Sequence, residues 1–373
     1  MTGDVRVGPV LLTPGPLTTS ARVKAAMQRD WGSRDPEFVR LSAAMLDRLR
    51  VLAGGDAEHV CVPLQGSGTF AVEAMLGSLV APQERVLLLV NGAYGRRMAE
   101  ICRRIGRDFD VYEVEETATH DPQELGRRLA GDQDLSVVAA VHCETTSGLL
   151  NPLEDIATAT RAAGRRLLVD SMSGFGALPL DMAALGISAV AASSNKCLQG
   201  VPGLGFVIAR HDELKARAGV APSLVLDLHD QARALSGDGQ WRFTPPTHVV
   251  AALVEALAEL EEEGGPAARL ARYRGNRDAL VDGMRRLGFR PALEPDLQAP
   301  VIVSFVEPKA EWYRFDPFYD ALARRGFAIY AGKMRELGTF RVGTIGAIDT
   351  GVIERFLAAA EAVVTEMKQK LIR

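Results

Sequence analysis

The chain has 373 residues, 47% hydrophobic and 24% charged, with a formal net charge of −4. Those proportions are those of an ordinary globular protein, and the length exceeds the roughly 250–300 residues at which one core stops growing, which predicts two domains. The charge balance offers no basic field for nucleic acid or an anionic membrane, and no run approaches the roughly 20 apolar residues of a membrane span.

The first stretch, MTGDVRVGPVLLTPGPLTTS, is broken by prolines and lacks an apolar core of leader length. Cys61, Cys102, Cys143 and Cys197 are scattered with no CxxC pair, which predicts a reducing, cytoplasmic setting. The six histidines show no metal-ligand spacing, so no metal is expected. Strands are predicted over 60–63, 85–90, 137–142, 166–170, 189–192 and 204–209, with helices over 70–79, 95–105, 122–130 and 152–163. Continuous Val/Leu/Ile runs separated by helices predict an α/β fold, a mostly parallel sheet covered on both faces. After about residue 237 the rhythm changes. A helix over 247–263 is stopped by Gly264-Gly265-Pro266. A helix over 268–287, a strand over 299–305, a helix over 315–325, a strand over 327–330 and a helix over 350–371 follow. The expected division is a large α/β domain over 17–250 and a smaller α+β domain over 251–373 that includes the N-terminal segment 1–16.

In open α/β sheets ligands bind beyond the carboxyl ends of the strands, so the chemistry is sought there. Gly66-Ser67-Gly68-Thr69 follows a strand and opens a helix, where free N–H groups and the helix dipole favour an anion. Gly66, Gly68 and Ala71 also match a relaxed dinucleotide fingerprint. That reading needs an acid at the end of the next strand, and RVLLLV ends instead in Asn91-Gly92-Ala93-Tyr94. The hydroxyls of Ser67 and Thr69 suit a single phosphate better.

RRLLVDSMSGFG places Asp170 at a strand end, where a turn or helix cap is the plain alternative. VVAAVHCETTSGLLNP crowds Glu144, Thr145, Thr146 and Ser147 after another strand, where capping of the next helix is the plain alternative. AVAASSNKCLQGVPG sets Lys196 in a run that otherwise reads as core. Lysine is seldom fully buried, and snorkelling past a strand end would account for it alone. Each strand end is ambiguous by itself. Together they form a phosphate cradle, an aromatic ring, an acid, hydroxyls and a lysine. Pyridoxal phosphate requires that set: a lysine amine for its aldehyde, an Asp for its pyridine nitrogen and donors for its phosphate.

GSGTFAVEA, NGAYGRRM, HCETTSGLLNP, VDSMSGFG, SSNKCLQGVPG and WRFTPPTH together resemble the class V branch of the fold-type I aminotransferases. Within it the chain is similar to the 2-aminoethylphosphonate:pyruvate transaminase family, from LLTPGPLTTS to FRVGTIG. The resemblance implies a pyridoxal 5'-phosphate enzyme, with Lys196 as Schiff-base lysine and proton shuttle and Asp170 on the pyridine nitrogen. It also implies Tyr94 on the ring face, Thr146 toward the ring's 3-oxygen, and Ser67, Gly68, Thr69 and Ser193 on the phosphate, with Asn195 close by. Thr244 matches a residue lent across a homodimer interface to the partner's cofactor, so active sites between subunits are expected. Arg341 matches the arginine that binds the substrate's acidic group, and Tyr330 lies in a segment placed near it.

Two departures stand out. RDWGSRDPEF replaces a Cys- and Trp-Asp-containing stretch and offers Arg34 as an extra cation near the expected entrance, and Ala331 stands where proline is more usual. Two alternatives therefore stay open, a pyridoxal-phosphate lyase releasing ammonia from a hydroxylated 2-aminoethylphosphonate and a class V aminotransferase for ordinary amino acids; a nicotinamide oxidoreductase is the rival from a different class, already lowered by Asn91.

Overall fold

In RVLLLV, Arg85–Val90, alternate side chains enter opposite cores: Leu87 and Leu89 on one face, Val86, Leu88 and Val90 on the other. The same split recurs in Leu135–Val141 and Ala189–Ser193, as a strand buried on both faces requires. These strands belong to a seven-stranded sheet in the order His59–Gly66, Gly203–Arg210, Ala189–Ser193, Arg166–Asp170, Leu135–Val141, Arg85–Val90, Asp108–Glu113. Every neighbouring pair is parallel except those made by Gly203–Arg210, which runs antiparallel to both its partners. The computed structural model describes residues 8–371. The expected positions 1–7 of the N-terminal segment and 372–373 of the last part lie outside those residues.

A second, four-stranded antiparallel sheet runs Arg290–Pro291, Ile302–Val306, Thr339–Gly343, Tyr330–Ala331. Phe305, Phe340 and Val342 on one face pack against Leu280, Met284, Phe318 and Phe356 from three helices. Alternation turns Arg341 to the other face. Residues 10–11 pair in parallel with Phe327–Ala328, and the Gly343 N–H donates to the Leu12 carbonyl at 2.8 Å.

The expected break after residue 250 falls inside the helix Thr247–Glu263, whose Val250, Leu253, Leu257 and Leu260 join the core on the large sheet. That helix ends at Gly264, whose φ of +105° lets its N–H cap the Glu261 carbonyl before the next helix, Gly265–Arg286, begins. Among the elements that the pattern reading does not give, three matter most here. Asp108–Glu113 is an edge strand, Thr339–Gly343 is a strand carrying a buried arginine, and Pro36–Leu52 is a helix burying Phe38, Ser42, Met45 and Leu49. Among the described residues no helix is long and apolar enough to cross a membrane.

Candidate active site

The carboxyl ends of the parallel strands converge on one side of the large sheet, and Lys196 sits among them. It follows Ala189–Ser193 in a tight loop: Gln199 N–H donates to the Lys196 carbonyl at 2.8 Å and Gly200 N–H to the Ser194 carbonyl at 2.8 Å. The Lys196 ammonium donates to the Gly15 carbonyl at 3.2 Å. A Cβ on Gly15, where φ is +120°, would lie 2.5 Å from Lys196 Cδ, so only glycine lets the N-terminal segment cross the lysine. Burial pulls the Lys196 pKa down to about 8, and Lys333 and Arg341 push the same way, while Cys197 and Asp170 oppose.

Asp170 ends its strand at 5% exposure, with Oδ1 accepting from the Met172 N–H at 2.9 Å. Burial raises its pKa to about 6 against that hydrogen bond and the charges of Arg97 and Lys196. This carboxylate is ready for a cation that is buried with it.

Ser67 precedes the helix Gly68–Leu79 with no side-chain capping bond, so the first N–H groups of a twelve-residue helix are open to an anion. Gly68 packs under Met172, whose sulfur leaves no room for a Cβ there. Thr69 Oγ1 accepts from Arg97 at 3.2 Å, and the Arg97 guanidinium stacks 4.8 Å from the Tyr94 ring centroid. Ser193 Oγ donates to Asn195 Oδ1 at 3.0 Å.

Glu144 organises the next edge. It is wholly buried, and burial raises its pKa although Thr146 and the Gly95 N–H oppose the rise. Its carboxylate accepts from Thr146 Oγ1 at 2.6 Å, Thr146 N at 3.1 Å and Tyr94 N at 3.3 Å. Thr146 Oγ1 in turn accepts from the Ala93 N–H at 2.8 Å. Glu144 therefore caps the helix Ala93–Arg104, not the helix Leu153–Ala162 that follows it in sequence. The approach is so close that a Cβ on Gly92 would collide with the Glu144 carboxyl. Tyr94 and Thr146 are thereby fixed to each other.

Arg341 is 2% exposed, with Nη1 donating to the Thr145 carbonyl at 2.9 Å and Nε to the Ala331 carbonyl at 3.1 Å. Burial lowers its pKa from the ordinary arginine value, against Tyr94, Tyr330 and Glu144, which lie close enough to oppose it. Tyr330 is its cross-strand partner.

Two expected residues stand apart. Arg34 is exposed ahead of the helix Pro36–Leu52, and among the described residues no hydrogen bond or ion pair joins it to the others. Thr244 is also exposed, its carbonyl accepting from Gln65 Nε2 at 2.8 Å, while the Lys196 ammonium of the same chain donates to Gly15 and not to it. Gly15, Glu144, Arg97 and Lys333 enter the site without having been singled out as site residues. The PGP turn was a visible signal for Gly15 and the polar cluster ending its strand one for Glu144, whereas Arg97 and Lys333 are recruited by tertiary contacts.

A lysine of lowered pKa, a buried carboxylate, an aromatic ring, hydroxyls and an open helix N-terminus form a donor set that fits pyridoxal phosphate. The class-V aminotransferase family matches residues 20–336, and the chain belongs to that family, whose members depend on pyridoxal phosphate. It is 50% identical to a 2-aminoethylphosphonate–pyruvate transaminase of Pseudomonas aeruginosa over 360 residues, covering 96% of this chain and 97% of the relative. Among solved structures it resembles pyridoxamine–pyruvate aminotransferase from Mesorhizobium loti, with a TM-score of 0.89, 25% identity and coverage of 97% and 93%. It also resembles ureidoglycine–glyoxylate aminotransferase from Bacillus subtilis, with a TM-score of 0.88, 25% identity and coverage of 96% and 94%. The fold is therefore that of the fold-type I aminotransferases, as the sequence motifs imply.

Proposed function

We propose that the chain transfers the amino group of 2-aminoethylphosphonate to pyruvate, releasing phosphonoacetaldehyde and alanine. The observation that carries this reading is a buried arginine, Arg341, in the same site as a lysine whose pKa falls to about 8. A chain half identical to a relative named for this reaction supports the substrate pair.

When bound, pyridoxal phosphate supplies an aldehyde for the lysine and a protonated ring that draws electron density from the carbon bearing the amine. Ser67, Gly68 and Thr69, with Ser193 and Asn195, would hold its phosphate, Asp170 its ring nitrogen, Tyr94 one ring face and Thr146 its ring oxygen. Arg341, its Nε and Nη1 fixed by carbonyls, presents a planar cation to the phosphonate of one substrate and the carboxylate of the other. Tyr330, across the strand from it, would border the acidic group. The Lys196 amine takes the proton from the carbon that carries the nitrogen of 2-aminoethylphosphonate and, in the half-reaction with pyruvate, delivers a proton to the carbon that becomes the α-carbon of alanine. A base poised near the working pH contributes about 10²–10⁴-fold to such a step, and a lysine of pKa about 8 is about half neutral at pH 8.

The assembly reading is a cytoplasmic homodimer. Phe70, Leu224, Val225 and Phe243 are exposed apolar side chains, and Phe243 adjoins Thr244, which would then meet the partner's phosphate cradle. Four free, buried cysteines suit a reducing compartment. We place the division between the two parts of the chain at Gly264.

The test is product analysis with cofactor-loaded protein and 2-aminoethylphosphonate by phosphorus and proton NMR, with and without pyruvate. Phosphonoacetaldehyde and alanine sustained only with pyruvate is the expected result. No turnover with pyruvate, and ammonia released from the hydroxylated aminophosphonate instead, would overturn it in favour of a lyase.

A further inference from the structure

Lys196 and Arg341 sit on separate supports, a loop beyond the large sheet and a strand of the small one. One face of the helix Gly265–Arg286 reaches both. Arg269, 1% exposed, donates through Nη1 to the carbonyls of Cys197 at 3.0 Å and Leu198 at 3.3 Å, immediately after Lys196. Arg272 donates through Nη1 to the carbonyls of Gly346 at 2.8 Å and Ile348 at 2.6 Å, in the loop that follows the Arg341 strand.

Both arginines close on a single carboxylate. Glu263 accepts from Arg269 Nε at 2.9 Å, and from Arg272 Nε at 2.8 Å and Nη2 at 3.1 Å. Burial pushes the Glu263 pKa up, but its bond to Arg272 and the Arg269 charge hold it below the usual value, so it is ionised. Tyr273 repeats the pattern: its hydroxyl accepts from Gln199 Nε2 at 2.6 Å and from the Gly346 N–H at 3.4 Å. Residues 269, 272 and 273 share a helix face. Each bridges, directly or through Glu263, the lysine loop and the loop behind the arginine.

We propose that Glu263, with Arg269 and Arg272, is a positioning unit that sets the separation between the Lys196 amine and the Arg341 guanidinium. It thereby selects substrates whose amine and acidic group span that distance. The proposal rests on the roles given to Lys196 and Arg341 above. Its physical basis is that a ligand held at two points gains from their fixed spacing, and a displacement of about 1 Å far from the chemistry can cost about 10²-fold. A ligand touching one point is indifferent to that spacing.

The experiment compares cofactor-loaded wild type, Glu263→Gln and Arg272→Lys. The second variant keeps the charge and only loses the planar fork, so it folds even where the first leaves Arg269 buried without its counter-charge. Three readouts are taken: kcat/KM for 2-aminoethylphosphonate, the single-turnover rate with propylamine, which lacks an acidic group, and inhibition by methylphosphonate, which lacks an amine. The expected result is a fall of about 10- to 100-fold in the first, with the other two within about twofold of wild type. A common fall in all three, as general loosening would produce, or no fall in the first, overturns the proposal. Arg341→Ala separates the underlying assignment. Unchanged methylphosphonate inhibition in that variant removes Arg341 from the site and the proposal with it. Weakened inhibition there, with kcat/KM for 2-aminoethylphosphonate unchanged in the Glu263 and Arg272 variants, removes the positioning unit alone.

Discussion

Asp170→Asn in the cofactor-free protein isolates the cost of holding a carboxylate at the strand end. Burial raises the Asp170 pKa from 3.8 to about 6, so the folded chain holds that proton more tightly than the unfolded one. A raised pKa contributes stability that is present below 3.8 and lost as pH rises through 6. At pH 8 the deprotonated group therefore destabilises the fold by the full shift, roughly two units at 1.36 kcal/mol each, about 3 kcal/mol. Asparagine keeps an oxygen for the Met172 N–H and carries no charge, so the variant gains about that amount. With an unfolding entropy of about 0.8 kcal/mol/K for a chain of this length, the gain is about 4 °C in Tm. At pH 4 Asp170 is protonated in the folded state and about two-fifths protonated in the unfolded one, and the gain shrinks below about 1 kcal/mol. Calorimetry at the two pH values reads this directly. With pyridoxal phosphate bound the gain shrinks toward zero, because a charge-assisted hydrogen bond to the ring nitrogen, worth about 1.5–3 kcal/mol, is weakened and offsets it. A Tm that drops in the cofactor-free variant at pH 8, or an equal gain at pH 4, refutes the reasoning.

Lys196→Ala removes the base, and turnover should fall at least about 10³-fold with far-UV circular dichroism unchanged; residual activity above a tenth of wild type would exclude Lys196 as the proton carrier. Arg341→Ala should lower kcat/KM about 10- to 100-fold, the value of a charge-assisted bond, while cofactor affinity measured by absorbance stays within about threefold. Gly15→Ala drives a methyl group into the Lys196 side chain at a backbone angle that disfavours alanine, and borohydride trapping of the cofactor on Lys196 should slow; trapping at the wild-type rate would show that the N-terminal segment does not confine the lysine.

The parallel strands were legible because a strand buried on both faces is apolar throughout. RVLLLV and RLLVD begin and end where the pattern puts them. The edge strand DFDVYE carries three acids among its six residues, which an edge tolerates and a pattern reads as loop. The strand TFRVG hides its arginine against carbonyls supplied by Thr145 and Ala331, partners 196 and 10 residues away. Local periodicity carries no trace of them. The helix Thr247–Glu263 was legible to the residue, yet which sheet it covers was not, because that depends on where Val250 and Leu257 find a complementary surface. At the site, Lys196 and Asp170 stand out as polar residues ending apolar runs. Glu144 is equally visible at the end of its strand, but its partner helix lies 50 residues away, and only the folded chain shows which helix it caps.

The fate of the substrate nitrogen separates transfer to pyruvate from release as ammonia. Cofactor-loaded protein is incubated with ¹⁵N-labelled 2-aminoethylphosphonate and unlabelled pyruvate, and the label is followed by mass spectrometry. Transamination puts the label in alanine, in step with phosphonoacetaldehyde. Label recovered as ammonia, with alanine unlabelled, would contradict it.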